Sequence, residues 1–107
     1  METNPNQQKN ILKITGTIVN IDNAIQGESW VKQEFQIRTD DKYPALVSFI
    51  AFNTGQDQLS RCKVDDKVIV YFNVNSRQFT KEEKTKWFTE VIAWKITIDW
   101  KGGQNAE

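Results

Sequence analysis

The sequence predicts a mostly β fold: a small closed barrel of five strands, with one short helix between the third and the fourth. Three observations predict it. Apolar residues recur with period two in Trp30–Thr39 and Lys67–Arg77, the pattern of half-buried antiparallel strands. No stretch of ordinary length carries a helical apolar stripe, and the one helix candidate is about two to three turns long. Several short twisted strands in 107 residues need closure to remove exposed edges, and a small barrel is the economical way to achieve it.

The elements follow in order. Ile11–Ile21 is β-branched and apolar, with Gly16 in its middle; glycine inside a strand marks a bulge or a sharp coil. Asn23–Ser29 contains Gly27 and reads as a loop. In Trp30–Thr39, Val31, Gln33, Phe35 and Ile37 share one face, and Trp30, Lys32, Glu34, Gln36 and Arg38 share the other. Asp40–Lys42 is a tight polar connection. Leu46–Phe52 is apolar on both faces. Asn53–Lys63 is the helix candidate, with Asn53 or Thr54 as cap, Asp57 early in the dipole and Leu59 and Cys62 facing inward. Asp65-Asp66 turns the chain into Lys67–Arg77. Gln78–Lys86 reads as a charged loop with Phe79 near its start, and Trp87–Trp100 as a long last strand. Residues 1–10 are expected to be a disordered lead-in, 11–100 the folded domain, and 101–107 a flexible tail.

Composition excludes several functions. At 38% hydrophobic and 26% charged the chain is ordinary single-domain globular material. No apolar run approaches the roughly 18 residues of a membrane-spanning helix, and Met1–Asn10 lacks the apolar core of a signal peptide. There is no histidine and one cysteine, Cys62. An internal disulfide, a Cys/His zinc site and a nucleophile–histidine pair are therefore impossible. No carboxylates or lysines are spaced for catalysis. The expectation is a cytoplasmic protein that is not an enzyme and has no metal and no cofactor. Fourteen basic and fourteen acidic residues give zero net charge, which argues against a simple polycationic binder of duplex DNA. The surplus is aromatic: four Trp, two Tyr and six Phe.

The order β-β-β-α-β-β is that of the OB-fold, with an SH3-like barrel as the competitor that would not place the helix there. Three stretches carry a family resemblance: Phe49–Asn53 (FIAFN), Val64–Thr80 (VDDKVIVYFNVNSRQFT) and Lys86–Ile92 (KWFTEVI). In this order, with a helix after the first, they resemble the bacterial single-stranded-DNA-binding protein. With Lys32–Ile37 (KQEFQI), Tyr43-Pro44 and Ala93–Ile96 (AWKI) added, the chain resembles still more closely a small OB-fold family of unknown function, found chiefly in Bacteroidetes-type bacteria and their phages. The resemblance covers roughly Leu12 to Ile98. Asp65-Asp66 replaces the usual glycine-containing turn, and Leu46 stands near the place of a usual tryptophan. The acidic tail ending in Pro-Phe has no counterpart, so recruitment of partners through it is not expected.

The resemblance implies single-stranded DNA as the partner, with RNA as a variant. A sequence-tolerant binder needs flat aromatics for bases and scattered cations for phosphates. In OB-folds the usual site is the outer face of the second and third strands with the flanking loops. That face carries Trp30, Lys32 and Arg38, with Glu34 as an unfavourable charge. By resemblance, Phe52 takes a stacking position, and Arg77 and Phe79 match an Arg-x-aromatic pair. Lys81, Lys84 and Lys86 add charge there, but Lys81–Lys84 is a run of mixed signs that reads as a solvated loop, which leaves Arg77 and Lys86 at its ends as the phosphate contacts. Each has a structural competitor: core for Phe52 and Phe79, packing under the first loop for Trp30, core or subunit contact for Trp87 and Trp94. Residues 1–66 hold seven basic and nine acidic groups, and residues 67–107 hold seven and five, so the basic bias lies on the last hairpin. The last strand is apolar on both faces, with Phe88, Ile92, Trp94, Ile96, Ile98 and Trp100 in one parity. That suggests self-association as a homodimer or a dimer of dimers. The alternative function is an OB-fold protein–protein interaction module without nucleic acid.

Overall fold

In the computed structural model, which describes residues 11–102, the barrel turns on β1 (Leu12–Ile21). The expected lead-in and residues 103–107 lie outside the described residues. The first half of β1 pairs with β5 (Lys67–Lys81) and the second half with β3 (Val31–Thr39), both antiparallel. Gly16 sits where the two pairings overlap, opposite Val68 on one side and Thr39 on the other. A Cβ there would run into the Arg38 carbonyl and come within 2.9 Å of the Ile37 side chain. Glycine is what allows so close an approach.

β3 continues antiparallel into β4 (Leu46–Phe52), and β5 into β6 (Lys84–Trp100). A short parallel pairing of Ile50 with Ile92 and Ala51 with Ala93 joins β4 to β6. The ring runs β1-β5-β6-β4-β3 and closes through β1–β3. Five long strands with α1 (Thr54–Leu59) between the third and the fourth form the expected OB-fold. The two-residue β2 (Ile25–Gln26), paired to Lys32 and Val31, is an addition within the first loop.

The period-two pattern places the core. Ile18, Phe35, Ile37, Phe49, Ala51, Val68 and Val70 are fully buried. The Phe35 and Phe49 rings stack at 5.3 Å between centroids, and Phe72 tilts against Phe49 at 5.5 Å. Leu59 and Cys62 both face this core. Burial, and then the Asp66 charge, push the Cys62 thiol up to about 11, so it is a small apolar filler rather than a reactive thiol.

α1 is shorter than Asn53–Lys63, and no side chain caps it. Asn53 has φ 46° and spends its side chain elsewhere. Its Oδ1 accepts the Val31 N–H at 3.0 Å, and its own N–H donates to the Val31 carbonyl at 2.9 Å. These bonds fasten the end of β4 to the start of β3. The helix lies tight on β6: a Cβ on Gly55 would come within 2.6 Å of the Ala93 carbonyl, and Gln58 Oε1 accepts the Ile96 N–H at 2.8 Å. In the turn before β5, Asp65 takes the left-handed conformation (φ 82°) that a glycine would favour. Asp66 is buried, its carboxylate accepting the Lys63 N–H at 2.9 Å and the Gly102 N–H at 2.8 Å.

The largest correction concerns 78–86. This stretch is not a loop. β5 runs to Lys81 and β6 begins at Lys84, so only Glu82 and Glu83 turn the chain, with φ 54° and 66°. Two positive φ values in a two-residue connection are the type I′ geometry, which matches strand twist. From Asn73/Ile92 to Lys81/Lys84, nine paired rows form a two-stranded arm, about 30 Å long at roughly 3.4 Å per residue. The parity of the last strand is corrected too. β6 carries an extra residue at Trp94, between Ala93 (opposite Phe72) and Lys95 (opposite Tyr71), and another at Asp99. These bulges turn Ile96 and Ile98 towards the core, while Trp94 and Trp100 stay exposed. The expected apolar stripe is therefore not one face.

Candidate nucleic-acid interface

On the outer face of β3 and β4, Lys32 pairs with Phe52, Glu34 with Ile50, Gln36 with Ser48 and Arg38 with Leu46. The pleat that buries Phe35, Phe49 and Ala51 turns these residues outward. Phe52 is half-buried on this face rather than in the core. A neutral hydrogen-bond ladder fills the middle of the face: Asn20 donates to Gln36 Oε1 at 2.7 Å, and Gln36 donates to the Ser48 hydroxyl at 2.9 Å.

The Phe52 end is different. Trp30, Lys32, Phe52, Arg77 and Glu90 line one open concavity of about 440 Å³. The Asn53–Val31 hydrogen bonds hold its floor. Trp30 is 43% exposed, and its indole lies directly over Gly27, where any Cβ would collide with the ring. Glycine thus lets the indole pack against the first loop and still line the concavity. Arg77 reaches Glu90 at 3.4 Å, and its side chain stays 71% exposed.

The furrow continues along the arm. Arg77, Gln78, Phe79 and Phe88 line a second concavity of about 240 Å³. Phe79, Lys81, Glu82, Lys84, Lys86 and Phe88 line a third of about 400 Å³. The shared residues make the three contiguous. In an antiparallel pair, opposed side chains share a face. Arg77 opposes Phe88, Phe79 opposes Lys86 and Lys81 opposes Lys84, so cations and phenyl rings form a checkerboard. Phe79 is 55% and Phe88 50% exposed. Along the whole furrow five cations face two acids, Glu82 and Glu90. Other acids are engaged elsewhere: Asp40 with Lys67 at 2.9 Å, which raises the Lys67 pKa, and Asp57 with Arg61 at 3.4 Å.

Of the seven residues singled out in the sequence, six lie on this furrow: Trp30, Lys32, Phe52, Arg77, Phe79 and Lys86. Arg38 does not join them; it is exposed at the other end of β3, opposite Leu46, about 20 Å from Lys32 by strand rise. Phe88 and Glu90 also belong to the furrow, as do Lys81 and Lys84, which the sequence reading assigns to a solvated run of mixed charge. The signal for them is the pairing register, which is readable only once 78–86 is taken as a hairpin. Among the described residues no group of His, Cys, Asp and Glu is placed to hold a metal ion, and no helix is long and apolar enough to cross a membrane.

A closed barrel of this strand order, with an aromatic and cationic furrow on its β3–β4 face and last hairpin, defines an OB-fold domain. The chain belongs to the family described as a domain of unknown function, DUF3127, which matches residues 13–97. No curated protein sequence matches the chain. Among solved structures it is similar to Rim1, the mitochondrial single-stranded-DNA-binding protein of S. cerevisiae, with TM-score 0.65 and 13% identity over 87% of this chain and 97% of that one. It is similar also to the SSB domain of a Synechococcus protein, with TM-score 0.62 and 15% identity over 83% and 94% of the two chains. The second single-stranded-DNA-binding protein of Mycobacterium smegmatis gives TM-score 0.61 and 15% identity, over 83% and 87%. At these identities the likeness establishes the fold.

Proposed function

We propose that the protein is a sequence-tolerant single-stranded-DNA-binding protein, which sheathes exposed strands during replication, recombination or repair in the cytoplasm. The observation that carries this reading is the convergence of Trp30, Lys32, Phe52 and Arg77 on one concavity, continuous with the Phe79, Phe88 and Lys86 face of the arm. Bases stack on Trp30, Phe52, Phe79 and Phe88; Lys32, Arg77 and Lys86 hold phosphates along the path, and Arg38 meets the strand only if it crosses the full width of β3. Each stack contributes roughly 1 to 3 kcal/mol, so three or four give useful affinity without a large positive net charge. The domain names of the similar structures support the same reading. RNA is a variant, since nothing in the furrow is specific for the sugar.

The opposite face of the arm supports self-association as a dimer or a dimer of dimers. Leu12, Val74 and Trp87 are exposed there beside Phe72 and Val91. Light scattering should give two or four times the chain mass of 12.4 kDa. The competing reading, a protein–protein interaction module, is favoured by negative charge: Glu90 lines the furrow beside Arg77, and Glu34 lines a neighbouring concavity that shares Lys32 with it. A titration of intrinsic tryptophan fluorescence with oligo-dT in low salt separates the two. DNA binding predicts quenching of Trp30, and an unchanged spectrum at micromolar oligonucleotide favours the interaction module.

A further inference from the structure

A second aromatic and cationic cluster lies on the outer face of β1, β5 and β6, next to the furrow but outside it. The Tyr71 and Trp94 rings touch, with centroids 5.6 Å apart and planes at 51°. The Lys95 ammonium lies 5.0 Å from the Tyr71 ring centroid, and that of Lys13 lies 5.8 Å away. The register explains how they meet. Lys13 and Lys95 both pair with Tyr71, one from each strand flanking β5. The extra residue of β6 falls at Trp94, and this bulge lets two consecutive residues, Trp94 and Lys95, both reach Tyr71.

By register the cluster lies beside the furrow: Tyr71 shares its face of β5 with Arg77 and Phe79, and the parallel pairing of Ala51 with Ala93 stops one residue before Phe52 and Trp94. Trp94 is 44% exposed, and among the described residues neither lysine is in a salt bridge. Charge selects the occupant. A second copy docked about a two-fold axis through this face would bring lysines against lysines, whereas a phosphodiester backbone supplies the missing negative charge. The open face of Trp94 suits a base, and lysines on both sides of Tyr71 suit successive phosphates.

We infer that Tyr71, Trp94, Lys13 and Lys95 form a second subsite for single-stranded nucleic acid, which takes the strand where it leaves the Phe52 end of the furrow. This rests on the nucleic-acid reading of the furrow and adds length to its footprint. Trp94 stacks a base, Lys13 and Lys95 hold phosphates, and Tyr71 orients all three.

The test is anisotropy of end-labelled oligo-dT of about 6 and about 16 nucleotides, within the range of site sizes of OB-folds. The unaltered chain is compared with Trp94→Ala and with Lys13→Gln/Lys95→Gln, and light scattering is recorded on each. The exposed side chains leave the core untouched, and the lysine pair checks the aromatic variant. The expected result is an affinity for the long oligonucleotide about fivefold or more weaker in both variants, with the short one changed by less than about twofold. Equal losses at both lengths, or no loss at the long one, overturn the subsite. A fall in particle mass with unchanged affinity overturns it too and makes this face a contact between copies. If the unaltered chain binds neither oligonucleotide, the furrow reading itself fails.

Discussion

Phe79 and Phe88 are half exposed on the outer part of the arm, where residues 76–89 are all exposed, so truncating them removes stacking surface without opening a cavity. Phe79→Ala and Phe88→Ala should each weaken oligo-dT binding about fivefold or more and shift the melting temperature by no more than about 2 °C. Titration and calorimetry check the two halves; a large loss of stability would make the ring a structural one. Glu90 competes with phosphate for Arg77, and exposed pairs of this kind are worth roughly 0.2 to 1 kcal/mol. Glu90→Gln should therefore strengthen binding by up to about fivefold, measured by the same titration at low salt. Asp66 is the contrasting case. Its buried carboxylate satisfies two backbone N–H groups far from the furrow. Asp66→Ala should cost about 1 to 3 kcal/mol in a denaturant melt and leave affinity for folded protein unchanged.

The arm is the element on which function and stability pull apart. An isolated two-stranded hairpin is marginal in water, and this one is held by little beyond its ladder, the Ser76–Thr89 and Thr80–Thr85 hydroxyl contacts and the Arg77–Glu90 pair. Its turn uses two glutamates at positive φ, where L-residues are disfavoured by about 1 to 2 kcal/mol each. Replacing Glu82-Glu83 by Asn-Gly should relieve that strain and slow amide exchange along residues 76–88, with little effect on exchange in the barrel. The same chemistry explains what the sequence concealed. The barrel strands are legible because Phe35, Ile37, Val68 and Val70 alternate against a single core, and Gly16 marks the coil of β1. The arm buries neither face, so its polar and aromatic alternation reads as a loop, and Glu-Glu carries no turn signal. The bulges at Trp94 and Asp99 are equally silent, because a one-residue insertion leaves the β-branched composition of β6 intact while reversing its parity. Phe52 and Trp30 are legible as candidates but not as neighbours; that depends on Asn53 fastening β4 to Val31.

Across the whole molecule, zero net charge coexists with a local excess of cations along the furrow. On the proposed reading, bulk electrostatics contributes little to encounter with nucleic acid and stacking contributes most of the affinity. With Lys32, Arg77 and Lys86 on phosphates, and Lys13 and Lys95 added on a longer strand, the logarithm of the binding constant should fall against the logarithm of salt with a slope of about −2 to −3.5, at roughly −0.7 per contact for single strands. Duplex DNA, whose bases are not available for stacking, should bind far more weakly. The most direct measurement is this salt titration, run in parallel with oligo-dT and with a duplex of the same length. A shallow slope in that range with clear preference for the single strand is the expected result. No binding at low salt, or equal binding of both forms with a slope steeper than about −6, would contradict a furrow that works by stacking.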